Sequence, residues 1–111
     1  MSTLTINLER LKADLLSLFE IGYDKDSKGV TRLGFTEKDN LARKWLCERF
    51  EHEGFWAEID PAGNVVGRRD KARPKQVVAT GSHIDTVISG GMFDGTLGVL
   101  AGLEVLRVLR D

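Results

Sequence analysis

The chain has 111 residues, 16 Lys plus Arg against 17 Asp plus Glu, and a formal net charge of −1, which fits one small domain. With 41% hydrophobic and 30% charged residues it can bury a core, which excludes wholesale disorder and fibrous or collagen-like repeats. The balanced charge removes the electrostatic case for a nucleic-acid partner, and no apolar run approaches the roughly 18 residues a membrane helix needs.

Leu8, Leu11, Leu15 and Leu18 recur at helical spacing, with Leu16 and Phe19 widening the stripe and Glu9, Arg10, Lys12 and Asp14 on the other side. This predicts a first amphipathic helix that ends near Gly22. From Gly22 to Phe35 neither period is present, so a loop long enough to carry function is expected. Thr36 with Asp39 resembles a capping box at the start of a second helix. That helix directs Leu41, Trp45, Leu46 and Phe50 to the core and stops at Gly54.

FWAEI and VVGRR are short β-prone runs joined by the turn formers of Asp60-Pro61-Ala62-Gly63-Asn64, and together they read as a strand pair. Lys71 to Lys75 is a polar connector. Gln76-Val77-Val78-Ala79-Thr80 then reads as a strand covered on both faces, as in an α/β sheet, leading into GSHIDT. From Thr96 to Leu109 a strongly apolar helix runs through Leu97, Leu100, Leu103, Val105, Leu106 and Leu109, with a wide packing surface.

Chemistry is concentrated in one segment. Six of the twelve glycines fall between Gly81 and Gly102, flanking one His and two Asp. In an extended strand His83 and Asp85 point to the same face, so the carboxylate can accept one ring N–H and leave the other nitrogen free for a cation. Asp94 comes eleven positions after His83, just before a helix start. It reads either as a bridging metal ligand or as a plain turn or N-cap residue.

GSHIDTVISGGMFDGTLGVLAGLEVLR resembles the metal-binding segment of the zinc-peptidase-like amidohydrolases of M20 type. More narrowly, it is similar to the hydantoinase/carbamoylase branch with its N-carbamoyl-L-amino-acid hydrolases, β-ureidopropionases and allantoate amidohydrolases. GVTRLGFTEKDNLARKWL and DPAGNVVGR resemble the same branch, so the likeness covers most of residues 22 to 110. The form Asp94-Gly95-Thr96-Leu97-Gly98 is that of the carbamoylases.

The resemblance implies the amino-terminal part of a three-layer α/β/α catalytic domain: two helices, a strand pair, a buried strand and a helix. It implies His83 as a metal ligand, Asp94 as the bridge between two divalent ions, and Asp85 as the residue that orients His83. The ions would be zinc or manganese, with cobalt or nickel as alternatives. The substrate would be a small ureido or carbamoyl compound, and the family-length protein would be a homodimer. The family's general base, remaining ligands and dimerisation domain have no counterpart in these 111 residues. The expectation is therefore an amino-terminal fragment that is inactive alone, or a non-catalytic module that meets a partner through an open sheet edge.

The remaining signals have plainer readings. Arg68, Arg69, Lys71, Arg73 and Lys75 read as a solvated connector, and Gly98 with Gly102 as close packing of a helix on the sheet. Trp45 and Trp56 read as packing residues and Cys47 as an inert thiol; Cys47 and His52 are rotated apart on their helix and form no chelating pair. A lone cysteine, with no apolar core or cleavage site in MSTLTINLERLK, gives the cytoplasm as the expected location.

Overall fold

The computed structural model describes residues 3–111; Met1 and Ser2, at the start of the stretch read for a leader, lie outside the described residues. Asn7 caps the first helix, α1 (Leu8–Phe19), by accepting the Arg10 N–H at 3.1 Å. Its buried face is Leu11, Leu15 and Leu18 together with Asp14, whereas Leu8 and Leu16 are exposed. Helix α2 (Glu37–His52) begins after Thr36, but the expected capping box is displaced by one residue. Asp39 accepts from the Phe35 N–H at 2.8 Å, and the Thr36 hydroxyl donates to Leu33 O at 2.6 Å.

Ala42, Leu46 and Phe50 form the buried stripe of α2, with Trp45 packed at its margin. Leu41 is exposed, because Ala42 occupies the inward position. Gly54 ends this part of the chain with φ +84°.

Strands β1 (Trp56–Ile59) and β2 (Val65–Arg68) pair antiparallel, from Trp56 opposite Arg68 to Ile59 opposite Val65. Their turn is tied by Asp60, whose carboxylate accepts from the Ala62 and Asn64 N–H groups at 2.9 Å each and from the Asn64 amide at 3.0 Å. The hairpin lies against α2, and Phe50 and Phe55 meet edge to face at 6.5 Å. Lys71, Arg73 and Lys75 are exposed, as befits a solvated connector. Arg68 stacks over Trp56 at 4.3 Å.

The buried strand expected at Gln76–Thr80 is not formed. The segment is irregular and exposed, and Val78 has the full exposure of a free side chain. A strand exists only through hydrogen bonds to a neighbour. Among the described residues nothing pairs with this one.

Helix α3 (Thr96–Arg110) closes the structure against α1. Leu97, Val105 and Leu109 are exposed, so its packing face is narrower than its composition implies. Two charged residues, Glu104 and Arg107, fill that face beside Leu100 and Leu103. The Arg107 guanidinium is 1% exposed and reaches Asp14 at 2.5 Å, Glu53 at 3.1 Å and Glu104 at 3.5 Å. Glu104 accepts from Asn7 N–H at 2.8 Å and from Arg10 at 2.8 and 2.7 Å. Three helices from distant parts of the chain are thereby tied through one buried charge cluster.

Removing one partner from such a cluster strands the others away from water. Arg107→Met is expected to lower stability by about 3–5 kcal/mol, read by urea unfolding. Burial alone would raise the Glu104 carboxyl, but the Arg10 hydrogen bonds, the Asn7 N–H and the nearby cations hold it below the ordinary 4.5. Glu53 is held below 4.5 in the same way, burial being outweighed by Arg110 and Arg107. Near these values the unfolded chain binds more protons than the folded one. The stability these two carboxylates contribute is therefore present above about pH 4.5 and is lost as the pH drops through their lower folded values. Glu104→Gln should flatten that acid limb in pH-dependent unfolding curves.

Candidate functional site

The loop from Gly22 to Phe35 is fastened along the segment that carries the site. Val30 exchanges backbone hydrogen bonds with Gly90 at 2.9 and 2.7 Å, and Thr86 N–H donates to Arg32 O at 2.8 Å. The Thr86 hydroxyl accepts from Arg32 N–H at 2.8 Å and donates to Val30 O at 2.9 Å. Arg32 is 1% exposed, and its guanidinium donates to Ile84 O at 2.9 Å, Leu18 O at 3.1 Å and Ile21 O at 2.6 Å. Burial pushes this guanidinium below the ordinary arginine value, opposed by the charges of Asp39 and Asp85. Neither Arg32 nor Thr86 stood out in the sequence, where no periodicity or spacing distinguishes them.

From the other side the segment is gripped by α3. Gly95, at φ +77°, brings the helix start so close to His83 that an added Cβ would collide with His83 O and with the imidazole ring. Gly98 and Gly102 extend the contact along Ser82 and Thr80, so this glycine spacing serves close approach, but to an irregular segment and not to the sheet expected from the sequence.

His83, Asp85 and Asp94 come together between these two supports. His83 Nδ1 lies 2.9 Å from the Asp85 carbonyl oxygen and 3.4 Å from its carboxylate, and His83 Nε2 lies 3.3 Å from Asp94 Oδ1. The adjacency of His83 and Asp85 arises without a strand, and the nearer partner of the ring is the backbone of Asp85 rather than its side chain. Asp94 does not cap α3, since Gly95 holds the N-cap position and no side chain bonds there.

A carbonyl oxygen only accepts, so a proton on Nδ1 serves the Asp85 carbonyl while Nε2 faces the Asp94 carboxylate. A cation placed between Nε2 and the carboxylate, a proton or a metal ion, satisfies both. Ligand atoms bonded to one zinc-like ion at about 2.1 Å lie roughly 3.4 Å apart in tetrahedral geometry, which matches the spacing found. His83 and Asp94 are 52% and 67% exposed, so solvent reaches both. Among the described residues no group of three His, Cys, Asp or Glu side chains is arranged to hold a metal ion.

Beside the site runs a groove of about 990 Å³, whose walls include Phe35, Asn64, Val65, Val78, His83 and Leu106. Phe35 has φ +63°, held by the Asp39 hydrogen bond, and its ring lies 5.2 Å from the Arg43 guanidinium. Cys47 is half-buried, and burial followed by the charges of Glu51 and Glu48 pushes its thiol up, so it is not an activated nucleophile.

Residues 64–111 match the model of Peptidase family M28. N-carbamoyl-L-amino acid amidohydrolase of Geobacillus stearothermophilus is 42% identical over 104 residues, covering 93% of this chain and 25% of its own. Allantoate amidohydrolase of Bacillus subtilis is 42% identical over 84 residues, 75% of this chain and 20% of its own. A solved hydantoinase/carbamoylase family amidase from Burkholderia ambifaria superimposes with a TM-score of 0.90 at 40% identity, over 99% of this chain and 27% of that one. The chain belongs to the hydantoinase/carbamoylase family. It spans about a quarter of the length of these relatives. Its helices and hairpin fit the amino-terminal part of the α/β domain of these relatives, which are named as amidohydrolases and amidases. Among the described residues no helix is long and apolar enough to cross a membrane.

In this carbamoylase-family segment Gly95 is the tightest point of the site. Gly95→Ala should displace His83 and cost about 1–3 kcal/mol from backbone strain alone. A lowered melting temperature with a shifted His83 ring resonance checks this.

Proposed function

We propose that these residues form part of the metal centre of a hydrolase acting on linear, non-peptide carbon–nitrogen bonds in ureido or amide groups, such as those of N-carbamoyl-L-amino acids or allantoate. The observation that carries this reading is His83 Nε2 facing Asp94 Oδ1 at 3.3 Å while the Asp85 carbonyl engages Nδ1. Relatives named as carbamoyl-amino-acid and allantoate amidohydrolases support the substrate class.

On this reading His83 and Asp94 would hold divalent ions, zinc or manganese with cobalt or nickel as alternatives, with Asp94 as the ligand shared between two of them. When bound, such ions polarise a carbonyl and bring the pKa of a water toward neutrality. The chain's own work is to hold the donors: Asp85 fixes the ring proton on Nδ1, and Gly95 seats His83 against the start of α3. One water is consumed as the ureido C–N bonds break, and an N-carbamoyl amino acid yields the amino acid, ammonia and carbon dioxide.

A catalytic zinc takes three protein ligands, and His83 with Asp94 supplies two donors. The others, and a general base, belong to sequence of the kind that makes up the remaining three quarters of the relatives. Turnover by these 111 residues alone is not expected. A family-length homodimer in the cytoplasm is the assembly and place this reading implies.

A second reading rests on the exposed Val77 and Val78: a non-catalytic module that pairs this open edge with a partner chain. It predicts stable complexes without bound metal.

The deciding experiment uses a polypeptide of family length containing this sequence, assayed for metal content and hydrolysis of N-carbamoyl-L-amino acids and allantoate. His83→Ala and Asp94→Ala should each abolish turnover with loss of metal, whereas Asp85→Asn, which keeps the backbone carbonyl that engages Nδ1, should weaken metal binding less than either. Full metal content in His83→Ala would place the site elsewhere. A metal-free complex without hydrolysis would favour the second reading.

A further inference from the structure

We infer that Arg32 is a positioning residue that aims His83 at Asp94, an inference whose metal-binding consequence rests on the reading of His83 as a ligand. The His83 ring is oriented by the Asp85 carbonyl, which belongs to the peptide unit joining Asp85 to Thr86. The N–H of that same unit donates to Arg32 O at 2.8 Å. The preceding unit, joining Ile84 to Asp85, has its carbonyl held by Arg32 Nε at 2.9 Å. Both peptide planes that flank Asp85 are therefore set by one residue 53 positions earlier in the chain.

The choice of arginine is informative. Capping the last carbonyls of α1 and the turn after it, Leu18 O and Ile21 O, takes a single cationic tip. Reaching Ile84 O in another direction at the same time requires the planar fork of a guanidinium. Burying that charge is costly. Among the described residues no carboxylate hydrogen-bonds to it, and compensation comes through space from Asp39 and Asp85. A neutral side chain would fill the same volume at lower cost, so what the cation contributes is the three-way connection between α1, its following turn and the His83–Asp85 segment.

Arg32→Lys keeps the charge and the cap but cannot span to Ile84 O. The test is imidazole nitrogen NMR on the full chain, with and without added Zn²⁺, alongside thermal melting. The wild type should show His83 as a single Nδ1–H tautomer whose Nε2 signal moves with Zn²⁺. Arg32→Lys should melt cooperatively yet show mixed tautomers and bind Zn²⁺ about tenfold more weakly, as losses of residues that orient a ligand do. A folded Arg32→Lys chain with the wild-type tautomer and Zn²⁺ affinity within about twofold would overturn the inference and leave the metal reading standing. If wild-type His83 ignores Zn²⁺, two donors do not suffice without the remaining ligands, and the tautomer comparison alone decides: an Arg32→Lys chain with the wild-type tautomer overturns the inference. Should the lysine variant not fold, the wild-type Arg32 Nε–H decides. It should exchange slowly and shift when Zn²⁺ binds, and a resonance indifferent to Zn²⁺ that moves His83 would sink the idea.

Discussion

The buried Arg107 guanidinium joins Asp14 of α1, Glu53 at the end of α2 and Glu104 of its own helix, and the arrangement of the three helices depends on it. Among the described residues the sheet is a two-stranded hairpin at one side, so no larger sheet shares that task. Aliphatic contacts through Leu11, Leu15, Leu18, Leu100 and Leu103 supply most of the favourable burial. They are non-directional, however, and do not by themselves select one axial position of α3 against α1. The charge cluster does, because each carboxylate is satisfied in only one register and a slip would leave ions buried without partners.

That register has a chemical consequence at the other end of α3. The helix starts at Gly95, in contact with His83, and Asp94 immediately precedes it. The position of the site's carboxylate is thus set by packing some ten residues away, while the position of its imidazole is set by Arg32 and Thr86 from the opposite side. Two rigid supports on an irregular segment give the 3.3 Å spacing between Nε2 and Oδ1 without any strand beneath it.

The unpaired run Gln76–Thr80 and the incomplete donor set belong to the same stretch of chain. Val77 and Val78 are exposed just upstream of His83, and Val87 and Ile88 just downstream of Asp85. Chain that pairs with this edge would cover those side chains and come within reach of the two donors. On the proposed reading, pairing of that edge and supply of further donors to His83 and Asp94 would be linked.

By itself the sequence determined the features that local pattern encodes. The three helices, the hairpin with its Asp60–Asn64 turn, the stop at Gly54 and the grouping of His83, Asp85 and Asp94 were legible, because periodicity, turn chemistry and ligand spacing are properties of neighbouring residues. The resemblance carried by GSHIDT and the Asp94-Gly95-Thr96 run was legible for the same reason. Tertiary structure alone decided the rest. It put Asp14, Glu104 and Arg107 inside and Leu41, Leu97 and Leu109 outside, since burial depends on which helix faces which. It left Gln76–Thr80 unpaired, since a strand needs a neighbour that no local pattern supplies. It also gave Arg32 its place: the run around position 32 carries the resemblance but no periodicity or spacing that shows an action on the backbone at positions 84 to 86, and only the folded chain brings the two together.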